Sequence, residues 1–285
     1  MFTPSSLFST SNRFLRRINQ GTHNFQLYQL ILSFLSRRSL AESPQSTAAE
    51  MESSSTSPFS RRRRRIPTLL LFAIFSVAAR YDSNSAPRPS DPSLMWEAGD
   101  DYLQNAKVIL GSSYASSRPS TCQALLLMGY REIGIGAMAQ AWTYIGMGIR
   151  MAQDLGMHRE AGSWERSGLG GRLFSDGQLD ERKRIWFSCV IMDKYVSTYI
   201  GTFIPSHSQN VLGSFLFIGR PLMIFERDFD NTMPNEDGSE EFEEWALRSA
   251  KNEVITGVPG RIISCFNATA GLCAPFPCPF QNIHP

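Results

Sequence analysis

The amino-acid sequence predicts an all-α fold, an irregular multi-helix domain, and three observations support this prediction. Apolar residues recur three and four positions apart in successive segments between residues 91 and 200. None of those segments alternates polar and apolar residues over a sustained run, which would indicate a strand. Helix start and stop signals flank the segments. With 285 residues, 42% of them hydrophobic, the chain is long enough to bury a core.

The first helix is predicted over the apolar run Ile66–Ala79. Its 14 residues would span about 21 Å as a helix, short of the roughly 30 Å hydrocarbon core of a bilayer. The run therefore predicts a buried helix, and membrane binding is not expected. The arginines before it match a nuclear-import patch or a set of phosphate contacts, although a solvated cluster beside an apolar helix explains them equally well. These arginines are Arg61, Arg62, Arg63, Arg64 and Arg65.

Four further helices are predicted from periodicity and capping signals. Their ranges are Ser93–Leu110, Ser120–Ile133, Ala137–Leu155 and Ser175–Ile200. Two of them open with capping boxes, formed by Ser120 with Gln123 and by Ser175 with Gln178. Gly156 supplies a left-handed cap after the third. Glycines 146 and 148 lie inside that third helix, where each costs about 1 kcal/mol relative to Ala, so a neighbouring backbone is expected to come very close.

The front of the chain differs in composition from the rest. Residues 1–90 contain twelve Arg, no Lys and four acidic residues, whereas acidic residues outnumber basic ones afterwards. Residues 1–65 are rich in Ser and Arg and are predicted to be a disordered N-terminal region. Residues 1–41 have no acidic residue, so a mitochondrial address is an alternative interpretation. A segment wrongly joined to the gene is another, with Met51 as a second start site.

Gly134, Gly136 and Ala139 match the letters of the dinucleotide fingerprint G-x-G-x-x-G/A, with Asp154 where a ribose-binding acid would be sought. The fingerprint requires a preceding strand, whereas a helix is predicted there, and Asp154 falls in the last turn of another helix. A glycine turn between antiparallel helices explains the same residues. No nucleotide cofactor is therefore predicted.

The cysteines do not follow a metal-site pattern. Cys265, Cys273, Cys278 and His284 are spaced too widely for most structural zinc sites, and five dispersed Cys cannot build a six-Cys binuclear cluster. His158 follows a predicted helix end, where a favourable interaction with the helix dipole is the expected role. No nucleophile elbow, HExxH or P-loop motif occurs. The sequence thus predicts no catalytic, cofactor-binding or metal-binding residue.

Nine acidic residues lie between Glu226 and Glu244. Such a run is either an acidic interaction face or a solvated loop. The loop is the simpler interpretation, because charge runs are usually solvated.

Residues 122–159, 181–201 and 219–234 carry an ordered set of motifs, QALLLMGY, AWTYIGMGIRMAQDLGMH, RKRIWFSCVIMDK, GRP and DFDNTMP. Together these resemble the fungal-specific transcription factor regulatory domain, the middle homology region of binuclear-zinc-cluster activators, including the xylanolytic activator type. Fifteen residues mark the motifs: Gln123, Tyr130, Trp142, Arg150, Asp154, His158, Arg184, Trp186, Asp193, Gly219, Arg220, Pro221, Asp228, Asp230 and Pro234.

The resemblance implies an all-helical regulatory domain over about residues 66–272, a location in the nucleus and a role in DNA-templated transcription. It implies no catalytic residues. Its partners would be other transcription regulators or a small-molecule effector, and a dimer is compatible with it. The competing hypothesis, argued from the Arg-rich start and the apolar run, is a helical membrane-tethered or mitochondrial protein without catalytic activity.

The sequence departs from the family pattern at three places. The zinc cluster of full-length family members is missing, so the sequence assigns no zinc ligand, and DNA would be reached only through the missing domain. Residues 202–219 interrupt a junction that the family makes directly, and this uncharged block, bounded by a repeated Ile-Gly, has the character of an unspliced intron. Residues 273–285 form a Pro-rich tail where the family domain continues, so the domain is expected to be truncated at its C-terminus.

Overall fold

The computed structural model describes residues 66–79, 97–165, 172–199, 221–242, 244–245 and 258–273. These contain six α-helices, two 3₁₀ turns and one pair of two-residue strands. The helices are α1 Thr68–Ala78, α2 Asp100–Ser113, α3 Pro119–Gly134, α4 Met138–Asp154, α5 Asp176–Tyr199 and α6 Ile262–Cys273. The strands β1 Glu244–Trp245 and β2 Val258–Pro259 pair antiparallel. The described part of the chain is helical, which confirms the all-α prediction.

Helix α3 lies at the centre of the core and packs against α1, α4 and α5. The run Leu125, Leu126 and Leu127 is fully buried although its side chains point to different sides of the helix. A helix that is apolar on every side needs neighbours on every side, and the surrounding helices supply them. Trp186 on α5 is also fully buried, whereas Trp142 on α4 is only partly buried against the core.

Helix α1 is a buried helix, as the sequence predicts. Most of its residues are buried, and it packs against α2 and α3. Among the helices of the described ranges, none combines the length and the apolar character needed to cross a bilayer.

Helix α2 begins later than predicted, at Asp100 instead of Ser93, and residues 91–96 lie outside the described part of the chain. Gly99 precedes it in the left-handed conformation, with φ of +86°. A Cβ atom at Gly99 would lie 2.3 Å from the carbonyl oxygen of Ser76 on α1. The start of α2 is therefore fixed by a glycine that lets two backbones touch.

The turn between α3 and α4 is the predicted glycine turn. Helix α3 ends at Gly134, and Gly136 has φ of +80° before α4 begins at Met138. A helix, not a strand, precedes Gly134, so the context that a dinucleotide site requires is absent from this place. Gly156 likewise has a positive φ, +65°, just past α4, as predicted.

The sequence predicts a close approach of a neighbouring chain at glycines 146 and 148, but the tightest contact is found at a different glycine. At Gly148 an added Cβ would lie 3.5 Å from Leu125, an ordinary contact, and at Gly146 it would meet only Met223. At Gly129 on α3, in contrast, an added Cβ would lie 2.6 Å from Ile145. The sequence pattern drew attention to the two glycines inside α4, but the tighter contact is made by Gly129 in the interior of its partner helix α3.

Of the two predicted capping boxes, one is wrong and one forms in part. Helix α3 starts at Pro119, one residue before Ser120, and its N-cap Arg118 makes no side-chain cap bond. Proline has no backbone N–H, so at the first helical position it leaves one fewer donor without a partner. At α5 the backbone N–H of Ser175 donates to Gln178 Oε1 at 3.0 Å, which is the reach-back half of the box.

Candidate functional site

Most of the described motif residues meet where segment 221–234 crosses the end of α4 and one face of α5. We call this region the motif junction, and it comprises Leu155–Glu160, Arg182–Lys194 and 221–234. Segment 221–234 contains only one 3₁₀ turn, Glu226–Asp228, so side chains rather than a helical ladder must hold it in place. Residues Gly219 and Arg220 lie outside the described part of the chain.

Aromatic contacts form the centre of the motif junction. The ring centroid of Trp186 lies 5.7 Å from His158 on one side and 5.7 Å from Phe229 on the other, the latter in an edge-on arrangement. Phe187 also packs edge-on against Phe229, at 6.0 Å. Such pairs contribute about 0.5–1.5 kcal/mol beyond burial of their surface.

His158 is therefore a packing residue of this cluster. Burial lowers the pKa of its imidazole below 6.5, and the neighbouring Arg159 adds to the effect. A lowered pKa favours the neutral ring, and the interaction with the helix dipole stays a prediction. The Nδ1 atom of His158 is buried and has no hydrogen-bond partner within the described residues.

Asp230 joins segment 221–234 to the chain that follows α4. Its Oδ1 accepts the backbone N–H of Glu160 at 2.8 Å, and its Oδ2 pairs with Arg159 Nη1 at 3.3 Å. Its own backbone N–H donates to the carbonyl of His158 at 3.2 Å. The hydrogen bond from Glu160, followed by the charge of Arg159, lowers the pKa of Asp230.

Three residues that the sequence did not single out extend this connection. Asn231 Nδ2 donates to the carbonyl of Met157 at 2.9 Å. Lys183 Nζ donates to Thr232 Oγ1 at 2.6 Å and forms an ion pair with Glu160 Oε2 at 3.2 Å. All of these residues lie inside or directly beside the matched motifs, but nothing in their spacing indicates hydrogen bonds across 49 or 74 positions of chain.

Asp193 fixes the beginning of the same segment. Its carboxylate accepts the backbone N–H groups of Met223 and Ile224 at 3.0 Å. The side chain is almost completely buried, with 3% of the residue exposed. Burial raises the pKa of Asp193 to about 6, while the two backbone hydrogen bonds act in the opposite direction.

Arg182 links α5 to the end of α4. Its Nη2 donates to the carbonyl of Leu155 at 2.8 Å, one of the carbonyls that a helix end leaves without a partner. Its guanidinium lies 4.3 Å from the ring centroid of Phe174 and 5.8 Å from that of Trp164. Arg184 is buried two residues further on and pairs with Asp180 Oδ2 at 2.7 Å.

The acidic run from Glu226 to Glu244 serves the fold at several points. Asp228 accepts the backbone N–H of Phe225, and Asp230 binds the end of α4 as described. Glu241 is buried, and its Oε2 accepts the backbone N–H groups of Ile263 and Ser264 at the start of α6. The run is thus neither a uniformly solvated loop nor a continuous acidic face.

The remaining described motif residues lie on α3, on α4 and in the segment. Gln123 is buried on α3, and Tyr130 is half-buried there. Arg150 is exposed on α4 and bonds Gln153, and Asp154 is exposed at the end of that helix. Pro221 is exposed, and Pro234 is buried with its carbonyl bonded to Asn267. The five arginines at 61–65, with Cys278 and His284, lie outside the described residues.

The motif junction joins parts of the protein to one another. The carboxylates and cations named above are directed at backbone groups and at other polar side chains, which is the arrangement of a structural joint. Within the described ranges, no group of three or more His, Cys, Asp or Glu side chains is placed to hold a metal ion.

Comparison with known proteins assigns this chain to a family. The family model described as the fungal specific transcription factor domain matches residues 25–253, more than half of the chain. The nitrogen assimilation transcription factor nit-4 of Neurospora crassa is 34% identical over 117 residues, which are 40% of this chain and 10% of that protein. No solved structure matches.

Two further transcription factors are also similar to this chain. The nitrogen assimilation transcription factor nirA of Emericella nidulans is 32% identical over 136 residues, 47% of this chain and 14% of that protein. A Zn(2)-C6 fungal-type transcription factor of Fusarium oxysporum, FTF1c, is 28% identical over 171 residues, 59% of this chain and 17% of that protein. The aligned part therefore spans less than a fifth of each of these relatives. Because the family model covers most of the chain, this protein belongs to the fungal-specific transcription factor domain family.

Proposed function

We propose that this chain is the regulatory domain of a fungal nuclear transcription factor and acts in DNA-templated transcription without catalysis of its own. The observation that carries the proposal is the family match over residues 25–253. The named relatives are transcription factors, which is consistent with it. The domain would act through other transcription regulators or a small-molecule effector. Zinc and DNA contact would belong to a Zn(2)-C6 domain, as the name of one relative indicates.

The geometry of the motif junction supports a non-catalytic role for the motif residues. Trp186 and His158 pack against each other, and Asp193 and Asp230 bind backbone N–H groups. We therefore propose that the motif holds segment 221–234 against α4 and α5, and that the domain proper occupies residues 66–272. Residues 1–65 and 273–285 would flank it.

A reporter assay tests the proposed role in transcription. The full chain is fused to an unrelated DNA-binding domain and placed upstream of a reporter gene in a fungal host. We expect several-fold activation or repression relative to the DNA-binding domain alone. The variant Trp186→Ala, which removes the centre of the motif junction, should abolish the effect, whereas Asp154→Asn at an exposed position should not. A fusion that accumulates normally and leaves the reporter unchanged would contradict the proposal.

Fluorescence microscopy tests the proposed nuclear location against the mitochondrial alternative. We expect the tagged chain to enter the nucleus and to lose that location when Arg61–Arg65 are changed to Ala. Changing Arg13, Arg16 and Arg17 to Ala provides the matched control, because it removes basic charge from the acid-free N-terminal segment instead. Mitochondrial fluorescence that is lost in this control, and kept in the first variant, would favour the alternative.

The block 202–219 is proposed to be a retained intron. Sequencing transcripts across codons 195–225 tests this proposal. A transcript that lacks the block supports it, and a transcript population that always contains the block contradicts it.

A further inference from the structure

A cavity of about 340 Å³ lies between α5, α6 and segment 221–234. This volume is at the small end of the range for small-molecule sites. Its wall is formed mainly by apolar side chains from all three elements: Phe187 and Val190 of α5, Ile224, Phe229 and Met233 of the segment, and Ala270 of α6. A ligand bound here would contact the same segment that the motif junction holds.

Lys194 places a cationic group at this apolar wall. It lines the cavity, and only 8% of the residue is exposed. Burying an ammonium group is unfavourable unless an anion or hydrogen-bond acceptor compensates it. Within the described residues, no side chain forms an ion pair or hydrogen bond with Lys194.

The nearest acids in sequence and in the wall form no ion pair with Lys194, although the charge of Asp193 attracts it. The carboxylate of Asp193, the preceding residue, is directed at the backbone N–H groups of Met223 and Ile224. Glu226 also lines the cavity but is exposed and makes no ion pair with Lys194. The cavity therefore combines an apolar interior with one ammonium group whose donors are unused within the described part of the protein.

We propose that this cavity binds a small apolar carboxylate, with the carboxylate paired to Lys194 and the hydrocarbon part enclosed by Phe187, Phe229 and their apolar neighbours. Glu226, Asn231 and Thr232 also line the cavity, but Glu226 is exposed and the side-chain amide of Asn231 is bonded to the carbonyl of Met157. Lys194 is the one cation among the lining residues, and beside the apolar side chains it matches a ligand with one negative charge and a hydrocarbon body better than it matches a phosphate or a sugar. The charged pair supplies orientation and selectivity, and the apolar contacts supply most of the affinity.

Binding would also stabilise the protein, because ligand contacts with Ile224 and Phe229 exist only while segment 221–234 is in place. A ligand that binds the folded state alone raises the unfolding temperature, and the stabilisation grows with the logarithm of the ligand concentration once that exceeds the Kd. This proposal goes beyond the role in transcription and does not depend on it, because the purified chain suffices to test it. Failure of the reporter assay would leave the binding result intact, and the reverse also holds.

Titration of the full chain with octanoate, octan-1-ol and octylamine tests the proposal, by calorimetry and by NMR of the ligand protons. We expect saturable binding of octanoate about tenfold tighter than that of octan-1-ol, because one buried charged pair distinguishes them. Octylamine should bind weakest, since it places a second ammonium near Lys194. Ring-current shifts of the octanoate methylene protons should report the contacts with Phe187 and Phe229. Equal affinity for the acid and the alcohol, or no saturable binding of either, would overturn the proposal.

Three variants locate the site. Lys194→Gln should weaken octanoate about tenfold and leave octan-1-ol unchanged, whereas Lys107→Gln on α2 should change neither. Ala270→Leu should weaken both ligands, because the added side chain fills the cavity. Unchanged octanoate binding in Lys194→Gln would show that the ligand binds elsewhere and would refute the assignment. If a variant fails to fold, the relative affinities of the three ligands for the unaltered chain still test the proposal.

Discussion

The carboxylate of Asp193 on α5 accepts the backbone N–H of Ile224 at 3.0 Å, a contact between residues 31 positions apart. A second N–H, that of Met223, donates to the same carboxylate. One buried side chain therefore anchors the start of segment 221–234, which has little regular structure of its own.

Asp193→Asn should destabilise the protein by about 1–3 kcal/mol, for two reasons. Both N–H groups donate to the same oxygen, Oδ2, and these bonds weaken when the acceptor loses its charge; an amide NH₂ in the place of Oδ1 would also oppose the N–H of Met223, which lies 3.2 Å from Oδ1. The loss should be visible as a lower urea midpoint of unfolding. Asp154→Asn is the matched control, since Asp154 belongs to the same set of motif residues but is exposed at the end of α4. Similar losses in the two variants would contradict an anchoring role for Asp193.

The pKa of Asp193 should be measurable directly. Burial raises it to about 6 from the ordinary 3.8, so the side-chain carboxyl carbon should titrate by NMR with a midpoint near pH 6. A raised pKa means that the folded state binds the proton more tightly than the unfolded state does. The stability of the protein relative to Asp193→Asn should therefore decline as pH rises from about 4 to about 6. A midpoint at or below pH 4 would show that the hydrogen bonds outweigh desolvation.

Gly99→Ala should be strongly destabilising, by about 2–4 kcal/mol, for two reasons. The residue has a φ of +86°, which disfavours any side chain, and the new Cβ would lie 2.3 Å from the carbonyl oxygen of Ser76. Gly111→Ala in the same helix, α2, is the control, because a Cβ there meets nothing within 4 Å. That variant should gain up to about 1 kcal/mol from helix propensity. Thermal unfolding should show a lower melting temperature for Gly99→Ala and an equal or higher one for Gly111→Ala. An unchanged melting temperature in Gly99→Ala would refute the close packing of α1 against α2.

Glu241→Gln should loosen the start of α6. The Glu241 carboxylate accepts the first free N–H groups of that helix, at Ile263 and Ser264, and the first turn of α6 contains no acidic residue. Loss of the charge should cost about 1–2 kcal/mol, within the range of helix capping. Hydrogen exchange of the Ile263 and Ser264 amides should accelerate, whereas the exposed change Glu165→Gln should leave both amides unaffected. Unchanged protection in Glu241→Gln would contradict the cap.

The helices could be predicted from the sequence because their signal is local. The ranges predicted for α3, α4 and α5 differ from the structure by one residue at each end. The spacing of apolar residues fixes which side of a helix is buried, and glycine at positions 136 and 156 marks a turn wherever a left-handed residue is required.

The contacts of the motif junction could not be predicted in this way. Asp193 binds the segment and Glu241 caps α6, but each recognises backbone N–H groups, which every residue except proline carries. The identity of the partner residue therefore gives no sign of such a contact in the sequence. The same limit applies to Gly129, whose tight contact depends on where Ile145 of the partner helix lies. Resemblance to the family identified the residues, and only the structure assigns their partners.

The anchor at Asp193 also determines how many residues are needed to connect the end of α5 to Met223. Tyr199 ends α5 about 9 Å along the helix axis from Asp193, at 1.5 Å per residue. If codons 202–219 were removed by splicing, residues 200, 201 and 220–222 would still join Tyr199 to Met223, and a connector of that length reaches about 20 Å. Long and short isoforms would then share one geometry from Met223 onward, so alternative processing of the message would change the length of the connection and leave the anchored segment in place.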